Sequence, residues 1–518
     1  MTLFLDYDTM VVLYIRGEEM KVSEYITYDA VGLAELVKKG DITAKELAVL
    51  SFTRLQEVDT ELYAVTQTRG AQVKEELHNL NPDAPLSGVP FYVKDISQTI
   101  EGEVSTGGSK LMQDAKASVT ANLVHDFHEA GLVTLGYSAT PEFALKNITE
   151  AKIHGPTRNP WNTNYSPGGS SGGAAALVAS GVTPIAGASD GGGSIRIPAS
   201  FTGLFGLKPT RGRTSVGPGV GRQWQGAAID FVLTRSVRDS ATMLTNLQTV
   251  QEEAAFQTPL FPGSYEEAMR APFDRPLKIG FTTTSPVGTP VSDDAKKAVQ
   301  KVVTWLAEQG HHVEEADNQI DGKQLMRHYY LMNSGEISSL TAQIETMLGR
   351  PLTVEDVEIE TWMLHRAGQQ VSAAEFTSSL AAWDEAAAKM AAFHQQYDFY
   401  ITPASAFTAP KIGELTHSEA EVQRLAEQIE TKNANEQQQL IYDMFLPSLT
   451  FTPFTQLANL TGQPGMSLPV HVTDEGLPLG VQVMASKGAE HRLLQLADKI
   501  EQSPLWVGMN GNPYFTKI

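Results

Sequence analysis

The 518-residue sequence contains no cysteine. That absence excludes disulfides, a thiolate nucleophile, Cys-ligated zinc and thiolate-held iron–sulfur clusters. Basic residues are also scarce: 39 Lys and Arg stand against 60 Asp and Glu, for a net charge of −21. Such a surface repels phosphate backbones and anionic lipid, so no nucleic acid and no membrane is expected as a partner. Long apolar runs are missing too. The stretch 174–188 is broken by Gly181, Pro184 and Gly187 and falls short of a membrane span. Asp6 and Asp8 lie where a secretory leader would be basic, and the apolar run 10–15 is too short for its core. A cytoplasmic protein is the expectation.

What the chain does hold suffices for a large core, since 42% of its residues are hydrophobic, an ordinary globular share. No internal repeat, low-complexity tract or proline-rich linker divides it. Residues 25–518 therefore read as one continuous domain and residues 1–24 as an N-terminal extension, with 1–19 either a local hairpin or a start-site extension. Apolar residues fall at helical spacing over 29–39 and 43–58, with Gly40 closing the first helix and Thr43 capping the second. Residues 88–94 predict a short buried strand ending in the charged pair Lys94 and Asp95. A helix over 120–129 and a strand over 133–135 follow. This alternation predicts an α/β fold with a largely parallel or mixed central sheet flanked by helices. After an amphipathic helix near 292–310, residues 320–446 read as a helix-rich segment, with helices over 382–396 and 418–439. Strand signals return at 399–402 and 481–484, before a closing helix over 490–502.

Two serines sit in glycine clusters, Ser166-Pro-Gly-Gly-Ser-Ser-Gly-Gly173 and Asp190-Gly-Gly-Gly-Ser-Ile-Arg-Ile-Pro198. Alone, a Gly/Ser run reads as a flexible turn. Between the two, residues 172–180 read as a helix and 182–188 as a strand. A helix rising about 1.5 Å per residue and a strand returning at about 3.3 Å per residue bring Ser194 back to the side of Ser170. Pro198 suits the first turn of a helix beginning near 195–198, so Ser194 stands at or just before its start. The N–H groups of Gly191, Gly192, Gly193 and Ser194 then converge beside the Ser194 hydroxyl. A tetrahedral oxyanion needs such a cradle.

A serine hydroxyl attacks only when a base relieves it of its proton. Histidine is the usual base, but His154 alone is near these clusters and it reads as a loop residue. Lys94, by contrast, ends an apolar strand where the ligand-binding edge of a sheet lies. To act near neutral pH its pKa must fall from about 10.4 to about 7, which burial can supply. A surface pair with Asp95 is the alternative.

Taken together, Gly88-Val-Pro-Phe-Tyr-Val-Lys94-Asp95, Gly155-Pro-Thr-Arg-Asn-Pro-Trp-Asn162, the two serine clusters and Phe205-Gly-Leu-Lys-Pro-Thr-Arg-Gly212 make the chain resemble the amidase signature family. The resemblance continues more loosely to Leu460-Thr-Gly-Gln-Pro464 and Gly476-Leu-Pro-Leu-Gly-Val-Gln482. It implies that fold and a Ser–Ser–Lys triad that hydrolyses a carbon–nitrogen amide bond. Ser194 would be the acylated nucleophile, Ser170 the bridging serine that follows a cis peptide at Gly169, and Lys94 the base. Asp190 and Arg196 would hold the oxyanion loop, with Gly169 and Ser171 in support. The implied ligand is a small amide, with no metal or organic cofactor, and a homodimer is among the assemblies open to it. Two departures stand out. Gly191 replaces the more usual Thr, Ile or Ala, which predicts a more flexible oxyanion loop, and Tyr137 and Ala139 replace the frequent Lys and Asn.

Other readings account for less. Gly168-Gly-Ser-Ser-Gly172 fits the nucleophile elbow of an α/β-hydrolase esterase, with Ser170 as nucleophile and His394, His471 or His491 downstream. Pro156, Pro160 and Pro167 precede it, however, where a strand is required. A binding protein without catalysis explains the glycines but not the lysine with both serines. Within the family, a glutaminase subunit of a tRNA-dependent amidotransferase is the alternative. The acidic charge and the 460–464 variant favour a free-standing amidase acting on aryl, peptide or cyclic amides. Acyl specificity is expected from 140–149 and 442–459, where Phe445, Phe451 and Phe454 either line a pocket or fill the core.

Overall fold

The computed structural model describes residues 20–516. The expected extension over 1–19 lies outside the described residues. The boundary expected after residue 24 falls within a one-turn helix, Val22–Tyr25, whose buried Tyr25 hydroxyl donates to the Val182 carbonyl at 2.9 Å.

Two sheets carry the fold. In the smaller, β1 (Val65–Thr68), β2 (Pro90–Lys94) and β3 (Val133–Ser138) lie in the order β1-β3-β2, with β2 and β3 parallel. The larger is built from β4 (Ile185–Asp190), β5 (Phe205–Lys208), β6 (Ile229–Thr234), β7 (Lys278–Phe281), β8 (His312–Glu315), β9 (Phe399–Pro403), β10 (Gly465–Val472) and β11 (Pro478–Met484). Its eight strands run in the order β8-β7-β9-β11-β10-β5-β6-β4. The trio β8, β7 and β9 is parallel and every other neighbour antiparallel, which makes the sheet mixed as expected. Most of these strands are buried along their whole length, so they read as continuous apolar runs rather than alternating ones.

Local signals place the helices well. Helix α1 (Ala30–Lys39) starts at Asp29, whose carboxylate accepts from Gly32 N–H at 2.9 Å, and stops at Gly40 in the left-handed conformation. Helix α2 (Ala44–Leu62) opens on a capping box between Thr43 and Glu46. Helix α3 (Gly172–Ala179) is buried on every side, which its small residues permit. Helix α4 (Arg196–Thr202) begins two residues after Ser194. The strand expected over 182–188 instead occupies 185–190, because Pro184 has no N–H to give a ladder. That shift carries the strand through Ser189 to Asp190.

Beyond α5 (Asp293–Glu308), the helix-rich segment comprises α6 (Gly322–Leu348), α7 (Ile359–Gly368), α8 (Ala373–Gln396), α9 (Glu419–Thr431) and α10 (Ala434–Phe451), with β9 threading back into the large sheet. The single helix expected over 418–439 is two helices. Asn433 breaks it, because its side chain accepts from Glu436 N–H in a fresh capping box. This segment builds its own core around Tyr330, Ile337, Met363, Ile441 and Phe445. The closing helix, α11 (Glu490–Glu501), packs back on the main body. No helix among the described residues is long and apolar enough to cross a membrane.

Helix α3 lies so close to its neighbours that a β-carbon at Gly173 would sit 2.2 Å from Ala139 N and 2.6 Å from the Ala64 carbonyl oxygen. Both obstacles are backbone and cannot swing aside. Gly173→Ala should therefore cost at least ~2 kcal/mol through overpacking and lower the thermal unfolding midpoint by about 2 °C or more. An unchanged midpoint in differential scanning fluorimetry contradicts that packing.

Candidate active site

Strands β2 and β4 end side by side, and their last residues bring the chemistry together. Gln98 ties them: its side-chain oxygen accepts from Lys94 N–H at 2.8 Å while its amide donates to the Ala188 carbonyl at 3.1 Å. Lys94 is 0% exposed. Its amine nitrogen lies 2.7 Å from Ser170 Oγ and 2.8 Å from Ser189 Oγ. Burial pushes the Lys94 pKa down to about 7, a fall that the carboxylates of Asp230 and Asp190 oppose only in part. Asp95 does not pair with Lys94. It accepts instead from the N–H of Thr106 at 2.9 Å and from the Thr106 hydroxyl.

The loop after β4 is tied down from within. Burial disfavours charge on Asp190, but the guanidinium of Arg196, helped by Lys208 and Asn459, outweighs it and holds the carboxyl down at about 2. Arg196 grips that carboxylate with two N–H groups at 2.9 and 2.8 Å, and spends its remaining donors on the Thr455 carbonyl, Gln482 and Asn459. Gly193, at φ +129, adopts a conformation that favours glycine. Its N–H donates to Asp190 Oδ1 at 2.7 Å. Of the four donors expected in the cradle, Gly193 is thus committed to the loop's own structure. The N–H groups of Gly191, Gly192 and Ser194 have no partner among the described residues.

Ser170 follows a cis peptide from Gly169, as the resemblance implies. Ser171 secures the same turn, its hydroxyl donating to the Ser189 carbonyl at 3.2 Å. Ser170 is 1% exposed, whereas Ser194 is half-buried. Both open on one cavity of about 530 Å³. Ser170, Ser194, Gly191 and Gly192 thus line one cavity, with Lys94 bonded to Ser170 behind its wall.

The cavity walls come from both halves of the chain. Phe143, Leu145, Met326, Tyr330, Phe445 and Leu449 give an apolar arm between the main body and the helix-rich segment. Val119, Leu123, Val216 and Val220 line another part of it. Four non-glycine lining residues, Ser97, Phe143, Ala144 and Trp224, have positive φ, a strain that tends to gather at functional sites. Lys146 also lines the cavity, but its amine is 2.7 Å from Glu358 and 3.7 Å from Glu360. Of the three phenylalanines considered for acyl binding, Phe445 alone faces this cavity. Phe451 packs on Phe407, and Phe454 lines a separate cavity. Tyr137 and Ala139 are core residues away from it, the Tyr137 hydroxyl donating to Glu103 at 2.7 Å.

The esterase elbow finds no support. No strand leads directly into Ser170; the last before it, Gly155–Pro156, ends well upstream. His394 lies against the Tyr397 carbonyl, His471 between Lys301 and Asp294, and His491 against Phe261. His154 is 2.9 Å from Thr106 Oγ1. Sequence reasoning missed Ser189, Gln98, Asp230 and Tyr329. The position of Ser189 beside Asp190 could have revealed it once the strand was extended two residues; the others lie in segments with no local signature.

The buried pair of Asp190 and Arg196 yields a stability prediction. A carboxyl depressed to about 2 from 3.8 lends stability that is complete above the ordinary carboxyl range and lost as pH falls through about 2. Asp190→Asn, which leaves Arg196 without its buried counter-charge, should cost about 3–5 kcal/mol at pH 7. The gap in melting temperature from the native protein should narrow between about pH 4 and pH 2. Equal melting temperatures at pH 7 contradict this.

Comparison with known proteins identifies the family. The Amidase family profile matches residues 49–494. The lipoamidase of Enterococcus faecalis is 38% identical over 93% of this chain, which spans 64% of that protein's length. The 6-aminohexanoate-cyclic-dimer hydrolase of Pseudomonas sp. is 33% identical over 92% of this chain and 95% of its own. A solved structure of 6-aminohexanoate cyclic dimer hydrolase superposes with a TM-score of 0.85 at 32% identity, covering 93% of this chain and 98% of that one. With most of its length matched by the family profile and by relatives above 30% identity, this chain belongs to the amidase family of carbon–nitrogen hydrolases.

Proposed function

We propose that the chain hydrolyses its amide substrate through an acyl-enzyme on Ser194, with Ser170 passing the proton to a neutral Lys94. The observation that carries this reading is the amine nitrogen of Lys94, shut off from water and 2.7 Å from Ser170 Oγ. With a pKa near 7, a large fraction of Lys94 is uncharged at neutral pH. Its lone pair can then take the Ser170 proton, while one of its N–H groups donates to Ser189 and fixes the direction of that lone pair.

The proposed steps run from Ser194 through Ser170 to Lys94. Ser194 Oγ attacks the substrate carbonyl as its proton moves to Ser170 and the Ser170 proton moves to Lys94. The new oxyanion rests on the N–H groups of Gly191, Gly192 and Ser194. When the tetrahedral species collapses, the C–N bond breaks and Ser170 hands a proton to the departing amine, recovering its own from Lys94. Water then enters, loses a proton along the same path and releases the carboxylate.

The substrate class is proposed from the walls. Lys146 is neutralised by two glutamates, so the lining offers no free cation to a carboxylate on the acyl chain. The apolar arm of Phe143, Leu145, Met326, Tyr330, Phe445 and Leu449 suits an uncharged, largely aliphatic acyl group. The names of the lipoamidase and cyclic-dimer hydrolase relatives favour the same class, linear or cyclic aliphatic amides.

A panel of octanoyl p-nitroanilide, acetyl p-nitroanilide, glutamine and a cyclic aliphatic diamide should show the octanoyl or cyclic substrate turned over fastest and glutamine slowest. Ser194→Ala should lose about 10⁴-fold or more in kcat, and Ser170→Ala about 10²–10⁴-fold. Because Lys94 acts when neutral, kcat/KM should rise with pH through one ionisation near 7 and then level off. Hydrolysis that persists in Ser194→Ala refutes the assigned nucleophile. A profile flat from pH 5 to 9 refutes the assigned base.

A further inference from the structure

We infer that Tyr329 is a positioning residue for the oxyanion loop, holding in place the peptide that Gly191, having no side chain, leaves free to turn. This rests on the acyl-enzyme reading above, in which that loop receives the developing charge.

A trans peptide is planar, and its C=O and N–H point in opposite directions. Fixing a carbonyl on the outer side of the loop therefore aims the next residue's N–H inward. Each of the four carbonyls from 190 to 193 accepts a hydrogen bond from outside the loop or from α4, although the third of these peptides turns its N–H, that of Gly193, to Asp190. Asn459 Nδ2 donates to the Asp190 carbonyl at 2.8 Å, Tyr329 Oη to the Gly191 carbonyl at 3.1 Å and Thr455 Oγ1 to the Gly192 carbonyl at 2.7 Å. The N–H of Ile197 donates to the Gly193 carbonyl at 2.7 Å. The peptide held by Tyr329 is the one that presents the Gly192 N–H, one of the three unpartnered donors. Asn459 and Thr455 are further tied to Arg196. Tyr329 instead reaches the loop from α6, outside every motif that surrounds the serines.

The fit is close. A β-carbon at Gly192 would lie 2.8 Å from Tyr329 Oη. Burial raises the pKa of the tyrosine to about 12, so its hydroxyl remains a donor across the working pH range. At Gly191 there is room: a β-carbon would meet only Ala228, at 3.5 Å, and φ lies outside the region that demands glycine. An alanine there would narrow the rotation of the same peptide plane by backbone sterics. Helix α6 also supplies Met326 and Tyr330 to the apolar arm, so the element that lines the acyl site also aims one of the donors.

The test is a double-mutant cycle on octanoyl p-nitroanilide, with Ser194→Ala as control and thermal melts to confirm folding. Tyr329→Phe should lower kcat about tenfold, less than the loss on deleting a donor outright, with KM within about twofold. In the Gly191→Ala background the same change should cost about threefold or less, because alanine already restrains the peptide. Inhibition by octylboronic acid, whose tetrahedral adduct places an oxygen where the oxyanion forms, should weaken about tenfold in Tyr329→Phe. A kcat within twofold of the native value, a change in KM alone, or an equal loss in both backgrounds overturns the inference. If Tyr329→Phe unfolds, the boronate affinity of Tyr329→His replaces it, and an affinity equal to the native protein's overturns the inference. Ser194→Ala retaining activity would instead overturn the acyl-enzyme reading, so the two failures are distinct.

Discussion

The burial of one amine governs this site. Lys94 ends a strand inside the protein, away from water, where an ammonium is poorly solvated, and its pKa falls to about 7. An exposed lysine would be cationic at neutral pH and useless as a proton acceptor. Two carboxylates, Asp230 and Asp190, limit the fall, which in the proposed relay leaves the amine basic enough to accept a proton and to return it. Asp230 is itself held by Ser97 at 2.7 Å, by Gln98 at 3.1 Å and by Gln223 at 2.6 Å. The small sheet supplies the lysine, and the large sheet supplies the environment that tunes it.

The second constraint is the orientation of peptide planes after β4. Glycines make the loop permissive, yet permissiveness alone would let the amides point anywhere. Order comes from Asp190 and Arg196 inside the loop, and from Asn459, Thr455 and Tyr329 reaching in from sequence positions far beyond it. Through these distant contacts the second half of the chain walls the cavity and holds the loop carbonyls.

Much of this was legible in the sequence, for physical reasons that can be named. Thr43 and Gly40 mark helix ends because caps are local chemistry. Lys94 at the end of an apolar run, and two serines among glycines on either side of a helix and a strand, could be brought together because the path between them is short. The strand boundary was misplaced because Thr183 and Val182 look like strand residues and only the missing N–H of Pro184 excludes them. The helix over 418–439 was joined across Asn433 because a mid-helix Asn is compatible with either a turn or a cap until its partner Glu436 is weighed. Gly193 looked like a fourth donor because a one-dimensional reading cannot show that Asp190 claims it. Phe451 and Phe454 sat within reach of Phe445 in sequence, but helix geometry and the chain turn at Pro453 send the three rings to different places. Tyr329 and Asp230 left no local trace, since their roles exist only once distant segments have packed.

The proposed proton path depends on the charge state of one lysine, and the most direct measurement is a pH titration of the protein with ¹⁵Nζ-labelled lysine followed by NMR. One side-chain resonance should titrate near pH 7 and be missing from Lys94→Met, while the exposed lysines titrate near 10. If the resonance lost in that variant also titrates near 10, Lys94 is an ammonium at neutral pH and the proton path from Ser194 has no acceptor.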